Sequence, residues 1–138
     1  MPPITRMAFR IYVAAILLAP VIGYFEPGEI PSVPPEETPI LVAVVLLFAL
    51  PLFGLIALLI YKAYRGRNWA RLMLAAFTAG GAFLYADHVL ALFAASPAVA
   101  AAQACLTIAQ LVAVALLFSA PSNAWYRVQA THVHQAAA

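Results

Sequence analysis

Apolar residues fall in four long runs along this chain, and polar residues fall in short clusters between them. The runs extend from Met7 to Phe25, from Ile40 to Tyr61, from Trp69 to about Phe93 and from Ala98 to Ala120. Each is near the roughly 20 residues an α-helix needs to cross a ~30 Å hydrocarbon core. The pattern therefore predicts an all-α integral membrane protein, a bundle of four transmembrane helices at about 7–25, 40–61, 69–93 and 98–120. The polar clusters read as breaks. Residues 26–39 hold five prolines and a glycine, which exclude a helix and predict an extended acidic loop. Thr38-Pro39 is suited to start the second helix, Thr as N-cap and Pro at the first helical position. Pro51, in the middle of that helix, predicts a kink whose freed carbonyl a neighbour can satisfy. Ser96 and Pro97 repeat the cap-then-proline pattern before the fourth helix. Pro121-Ser122-Asn123 is expected to end it, leaving 121–138 as a short polar tail that is compatible with a helix.

Composition narrows the class. Of 138 residues, 66% are hydrophobic and 9% charged, with mean hydropathy +0.97; soluble domains carry about 25% charged residues. The four runs leave no room for a second domain, so 1–138 is read as one membrane domain. The first run has a basic flank, Arg6 and Arg10, and also fits a signal peptide. It lacks a small-x-small site at its end and finishes in Gly23-Tyr24-Phe25, so a retained helix is expected. The single cysteine, Cys105, lies inside an apolar run and is expected to pack as a small apolar residue.

Charge sets the expected orientation. All seven Lys and Arg residues fall on one side of the four-span pattern: Arg6, Arg10, Lys62, Arg65, Arg67, Arg71 and Arg127. All five acidic residues, Glu26, Glu29, Glu36, Glu37 and Asp87, fall on the other. Excess Lys and Arg in short loops marks the cytoplasmic face, which predicts both termini in the cytoplasm of a bacterial inner membrane, with Arg65, Arg67 and Arg71 as topology determinants. Aromatic belts agree, with Tyr12, Tyr61, Tyr64, Trp69, Trp125 and Tyr126 toward the basic side and Tyr24, Phe25, Tyr85 and Phe93 toward the acidic side. The basic link also suits anionic lipid.

Three features inside the runs can carry function. In the third, Ala76 and Gly80 form a small-xxx-small pair, as do Ala75 and Ala79; such pairs serve close packing within the bundle or association with another helix. In the fourth, Gln103, Thr107 and Gln110 share one face by their spacing. They read as interhelical hydrogen-bonding groups, a partner face, or the lining of a small-solute path. Asp87 and His88 are the ionisable pair within a run. About 18 residues after Trp69, or ~27 Å at 1.5 Å per residue, they reach the outer headgroups and read as an interfacial polar cap or a functional pair. His132 and His134 alone make a poor metal site.

Residue counts exclude several membrane classes. A thiol oxidoreductase needs cysteine pairs, and an aspartic membrane peptidase needs two aspartates where this chain has Asp87 alone. A four-helix multidrug exporter needs an acid in helix one. A bis-histidine haem needs two histidines inside the bundle. The stretch Arg65-Gly-Arg-Asn-Trp-Ala-Arg71, taken with Pro121-Ser-Asn-Ala-Trp-Tyr-Arg127, resembles a paired motif of uncharacterised small bacterial inner-membrane proteins. The resemblance covers the second half and implies a bacterial cytoplasmic-membrane protein with no assigned activity. The resulting expectation is a non-enzymatic membrane protein without metal or cofactor. Its surroundings are the lipid bilayer and a protein partner or second copy, not nucleic acid. It would work as an accessory or immunity-type subunit, or alternatively as a small oligomeric transporter or channel.

Overall fold

A computed structural model of the chain describes residues 1–26 and 38–135, the last six as backbone only. Glu29, Glu36, Glu37 and most of the Pro-rich loop lie outside the described residues, as do the His132 and His134 side chains. Five α-helices and no strand occur among the described residues: α1 Pro3–Gly23, α2 Thr38–Tyr64, α3 Asn68–Ala95, α4 Pro97–Leu117 and α5 Ala120–Gln135. The first four are each long and apolar enough to cross a membrane.

Helix ends differ from the sequence expectation by one to four residues, and two of the shifts have a local cause. Helix α1 starts at Pro3 rather than Met7, because a proline in the first turn lacks an N–H that would have no partner there anyway. Helix α4 stops at Leu117, three residues short, and a fifth helix takes up the segment read as a tail. The cause is Pro121. It has no N–H for the Leu117 carbonyl four residues back, and its ring collides with that carbonyl in a continuing helix. The chain tightens through Phe118 N–H to Ala115 O at 3.0 Å and Ser119 N–H to Leu116 O at 3.2 Å. It then restarts at Ala120 with Pro121 in the first turn. Ser96 stands at the N-cap of α4, but its side chain makes no cap hydrogen bond. Helix α2 runs continuously through Pro51.

The link between α2 and α3 is set by one glycine. Gly66 has φ +81°, the left-handed region, and closes α2 with two reversed bonds: Gly66 N–H to Ala63 O at 2.9 Å and Arg67 N–H to Lys62 O at 3.0 Å. This is the Schellman pattern, which satisfies carbonyls left over at a helix end. A Cβ at Gly66 would lie 2.9 Å from the Gln129 side chain, so α5 passes directly over the turn.

The helices stand in the order α2, α3, α4, α1, with α1 packed against α4, α4 against α3, and α3 against α2. Helices α1 and α4 run antiparallel: Thr5 meets Ser122 at one end and Gln103 meets Glu26 at the other. The shared core draws Ala8, Phe9 and Tyr12 from α1, Leu59 and Ala63 from α2, Ala70 and Leu74 from α3, and Ala113 and Leu117 from α4. These come from the first half of α1 and α3 and the last half of α2 and α4, so the core lies toward the basic end. Its four alanines are fully buried; a methyl side chain lets backbones approach closely enough for dispersion contacts along the whole interface. Outward faces are largely apolar, with side chains as large as Phe48, Phe83 and Leu84 more than two-thirds exposed. Cys105 is on this outer surface.

Candidate functional site

Away from the core, the acidic end is held by polar contacts. Glu26 follows α1 directly and turns its carboxylate into the bundle. Its Oε1 accepts from the Tyr85 hydroxyl at 2.9 Å and from Gln103 Nε2 at 2.7 Å. Its Oε2 faces His88 Nε2 at 3.3 Å, an ion pair whenever the imidazole is protonated. One side chain thus joins the end of α1 to α3 and α4. Burial alone would raise the Glu26 carboxyl, but hydrogen bonds from Tyr85, His88 and Gln103, with the His88 charge, outweigh it and hold the group below the usual carboxylate range. The Tyr85 and His88 rings stack in a tilted arrangement with centroids 4.6 Å apart.

Below this clamp is a cavity of about 550 Å³, within the 300–1,000 Å³ typical of small-ligand sites. Gln103, Thr107 and Gln110 all line it, and Glu26 and Tyr85 form its acidic end. Gln103 is buried by its bond to Glu26, while Thr107 Oγ1 donates back to the Gln103 carbonyl at 3.0 Å. Gln110 has no side-chain hydrogen bond among the described residues, leaving its amide free to face the space. Across the cavity Thr78 donates to the Leu74 carbonyl at 2.8 Å, so its oxygen accepts the Tyr12 hydroxyl at 2.8 Å. One turn further toward the basic end lie the buried Leu74 and Ala113 of the core. Glycine and alanine at Gly23, Ala19, Gly81 and Ala82 keep the walls thin. The cavity offers hydroxyl, amide and one carboxylate to a small polar guest, with aromatic rings beside them.

Sequence features are regrouped by this geometry. Asp87 and His88 part company: His88 meets Glu26, whereas Asp87 is exposed and makes no polar contact among the described residues. Ala76 and Gly80 are exposed on the outer face of α3, and nothing lies within 4 Å of a Cβ placed at Gly80 or Gly81. The small-residue pair therefore takes no part in packing this bundle, whose close contacts use Ala8, Ala63, Ala70 and Ala113 instead. Tyr12 and Tyr126, expected in the aromatic belts, are buried. Glu26 and Tyr85, read only as a loop charge and a belt residue, are the centre of the acidic cluster. The available signal was depth: Glu26 follows the first apolar run at the level where Asp87-His88 and Gln103 also fall.

At the basic end the paired motifs meet. Arg71, read as a topology determinant, is buried; one of its nitrogens, Nη1, donates to Leu117 O at 3.0 Å and to Asn123 Oδ1 at 2.7 Å. Its guanidinium lies between the Phe118 and Tyr126 rings, 4.4 Å from each centroid. Arg71 thereby serves the Leu117 carbonyl that Pro121 leaves without a donor, at the negative end of the α4 dipole. The Tyr126 hydroxyl donates to Ala63 O at 2.8 Å, joining α5 to the end of α2. Burial pushes the Tyr126 phenol up to about 12, although the Arg71 charge pulls the other way. Ser122 donates to Leu116 O at 3.0 Å and accepts from Thr5 at 2.8 Å, which ties the start of α1 to the same joint. Arg65 and Arg67 remain exposed, Arg65 against the Tyr61 ring and hydroxyl.

No cluster of three or more metal-ligating side chains occurs among the described residues. Comparison with protein-family models, with curated proteins and with solved structures finds no match.

Proposed function

We propose that the chain is a non-enzymatic multi-pass protein of the bacterial inner membrane, with four crossing helices and both termini cytoplasmic, whose working site is the polar cavity. It binds a small polar or cationic solute there and, as an oligomer, passes it across the bilayer. One observation carries this reading: the polar stripe of α4 lines an open cavity between the helices, with Glu26 at its acidic end. Membrane placement is supported by the exposed apolar faces of α1–α4, which exceed what a monomer keeps in water. Retention of α1 is supported by its place in the core beside α4. Membership among small bacterial inner-membrane proteins with the paired arginine and P-S-N-A-W motifs is part of the same proposal.

The test is uptake of a panel of small polar and cationic solutes into proteoliposomes. Wild-type protein should accumulate at least one solute faster than protein-free liposomes. Replacing Gln103 and Gln110 with Leu should abolish that flux while oligomeric state is kept. Unchanged flux in an intact double variant would end the transport reading.

A second reading has its own observation. The Ala76–Gly80 face of α3 is turned outward with open space beside it, as suits contact with the helix of a partner in an accessory or immunity-type role. Purification in mild detergent separates the two: a stoichiometric second protein, lost on Gly80→Leu, favours the partner role. Gly80 is exposed and a Cβ there meets nothing within 4 Å, so Gly80→Leu is expected to leave the chain's own packing intact.

A further inference from the structure

Between α1 and α2 the surface opens into a groove of about 900 Å³. Its lining changes along its length, with Arg6, Arg10 and Tyr64 at one end and Leu17, Phe53 and Ile56 toward the other. No acidic residue lines it among the described residues. Arg6 gives one N–H to the Met1 carbonyl at 3.2 Å, and Arg10 meets no acceptor among the described residues. Two guanidinium groups one helical turn apart thus face the same opening with donors to spare.

The length of the groove identifies its occupant. Its walls run from Arg6 to Leu17 on α1 and from Phe53 to Tyr64 on α2. Eleven residues rise about 16 Å, and half of a ~30 Å hydrocarbon core is about 15 Å. The groove is one leaflet deep, charged where the headgroups lie and apolar beyond. A transmembrane partner helix would continue through both leaflets and would have to bring an acid to the arginines. A phospholipid already has this length and this polarity.

We propose that the α1/α2 groove holds one anionic phospholipid, its phosphate at Arg6 and Arg10 and an acyl chain along Leu17, Ile56 and Phe53. The lipid fills the wedge that α2 leaves by leaning chiefly on α3, and so completes the bundle on its open side. This inference goes beyond the cavity reading and shares with it only the placement in a membrane.

The experiment is native mass spectrometry of the purified chain in mild detergent. Phosphatidylglycerol and phosphatidylcholine with identical acyl chains are added in competition. Wild type should retain one phosphatidylglycerol in preference to phosphatidylcholine. With roughly 1 kcal/mol per basic residue at a membrane surface, the Arg6→Gln/Arg10→Gln pair should lower that preference about 30-fold. Arg67→Gln, an exposed charge outside the groove, should leave it unchanged. Ala14→Trp blocks the groove with both arginines in place and should also lose the bound lipid; it decides the matter if the double variant does not fold. Equal retention of the two lipids by wild type, an Arg67→Gln loss as large as that of the pair, or full retention by Ala14→Trp would each overturn the proposal.

Discussion

Arg71 holds three helices at the basic end, and its removal can be costed from its contacts. In Arg71→Met the guanidinium loses hydrogen bonds to Leu117 O and Asn123 Oδ1. Two hydrogen bonds to a charged group contribute about 3–6 kcal/mol together. Stacking between Phe118 and Tyr126 adds about 1–4 kcal/mol. Relief of the desolvation of a buried charge opposes this by several kcal/mol, and the apolar Met stem keeps part of the ring packing. The net loss expected is about 2–4 kcal/mol, because the Leu117 carbonyl is left with neither a helical donor nor a guanidinium. It should be local to the joint of α4 and α5. Trypsin cleavage after Arg127, on α5, reads that joint directly, since the helix must open before it is cut. In the regime where opening is fast relative to cutting, 2–4 kcal/mol is about a 30- to 1,000-fold faster cleavage. Arg71→Lys keeps the charge but loses the planar stack between the two rings and the fixed direction of the Nη1 donors, and should fall between wild type and Met. Equal cleavage rates in wild type and Arg71→Met would refute the reasoning, for the contacts would then contribute nothing net.

Gly66→Ala should destabilise by about 1–2 kcal/mol from the left-handed backbone alone, and by more through the clash with Gln129; a lower unfolding midpoint in detergent, with α5 more readily cut at Arg127, checks it. The Glu26 cluster should depend on pH in one direction. With its folded pKa depressed, Glu26 contributes stability that is fully present above the unfolded carboxylate pKa and is lost as pH falls through the lower folded value. Thermal midpoints should therefore be flat from neutral to mildly acidic pH and drop in the acid range, and Glu26→Gln should flatten that drop; a variant as acid-sensitive as wild type would contradict the clamp. Orientation is checked by labelling in a Cys105→Ser background. Tyr24→Cys should react with an impermeant maleimide in intact cells and Asn68→Cys should not, the reverse pattern overturning the proposed cytoplasmic placement of the basic end.

Much of the architecture is legible in residue order because a long apolar run obeys a one-dimensional rule: in hydrocarbon about 20 such residues must satisfy their backbone internally, and a helix is the local way to do so. The four long apolar helices and their approximate ends follow from that. Proline positions are local too, and Pro121 held the information that α4 must stop near Leu117; what hid the fifth helix was the low apolar content of Ala120–Gln135, whose anchoring comes from Arg71, Ala63 and Gly66 on or beside other elements. Which polar residues meet was not available in this way. Asp87 and His88 are neighbours in sequence but about 100° apart around a helix, and only the parallel alignment of α1 with α3 sets Glu26 beside His88. Likewise the spacing of Gln103, Thr107 and Gln110 fixes a common face but not what it looks at, and the pair Ala76–Gly80 fixes a close-packing surface but not whether the bundle uses it. Periodicity determines the faces of a helix; rotation of each helix about its axis is determined by its neighbours, and here that rotation turned the polar stripe toward a cavity and the small residues toward the outside.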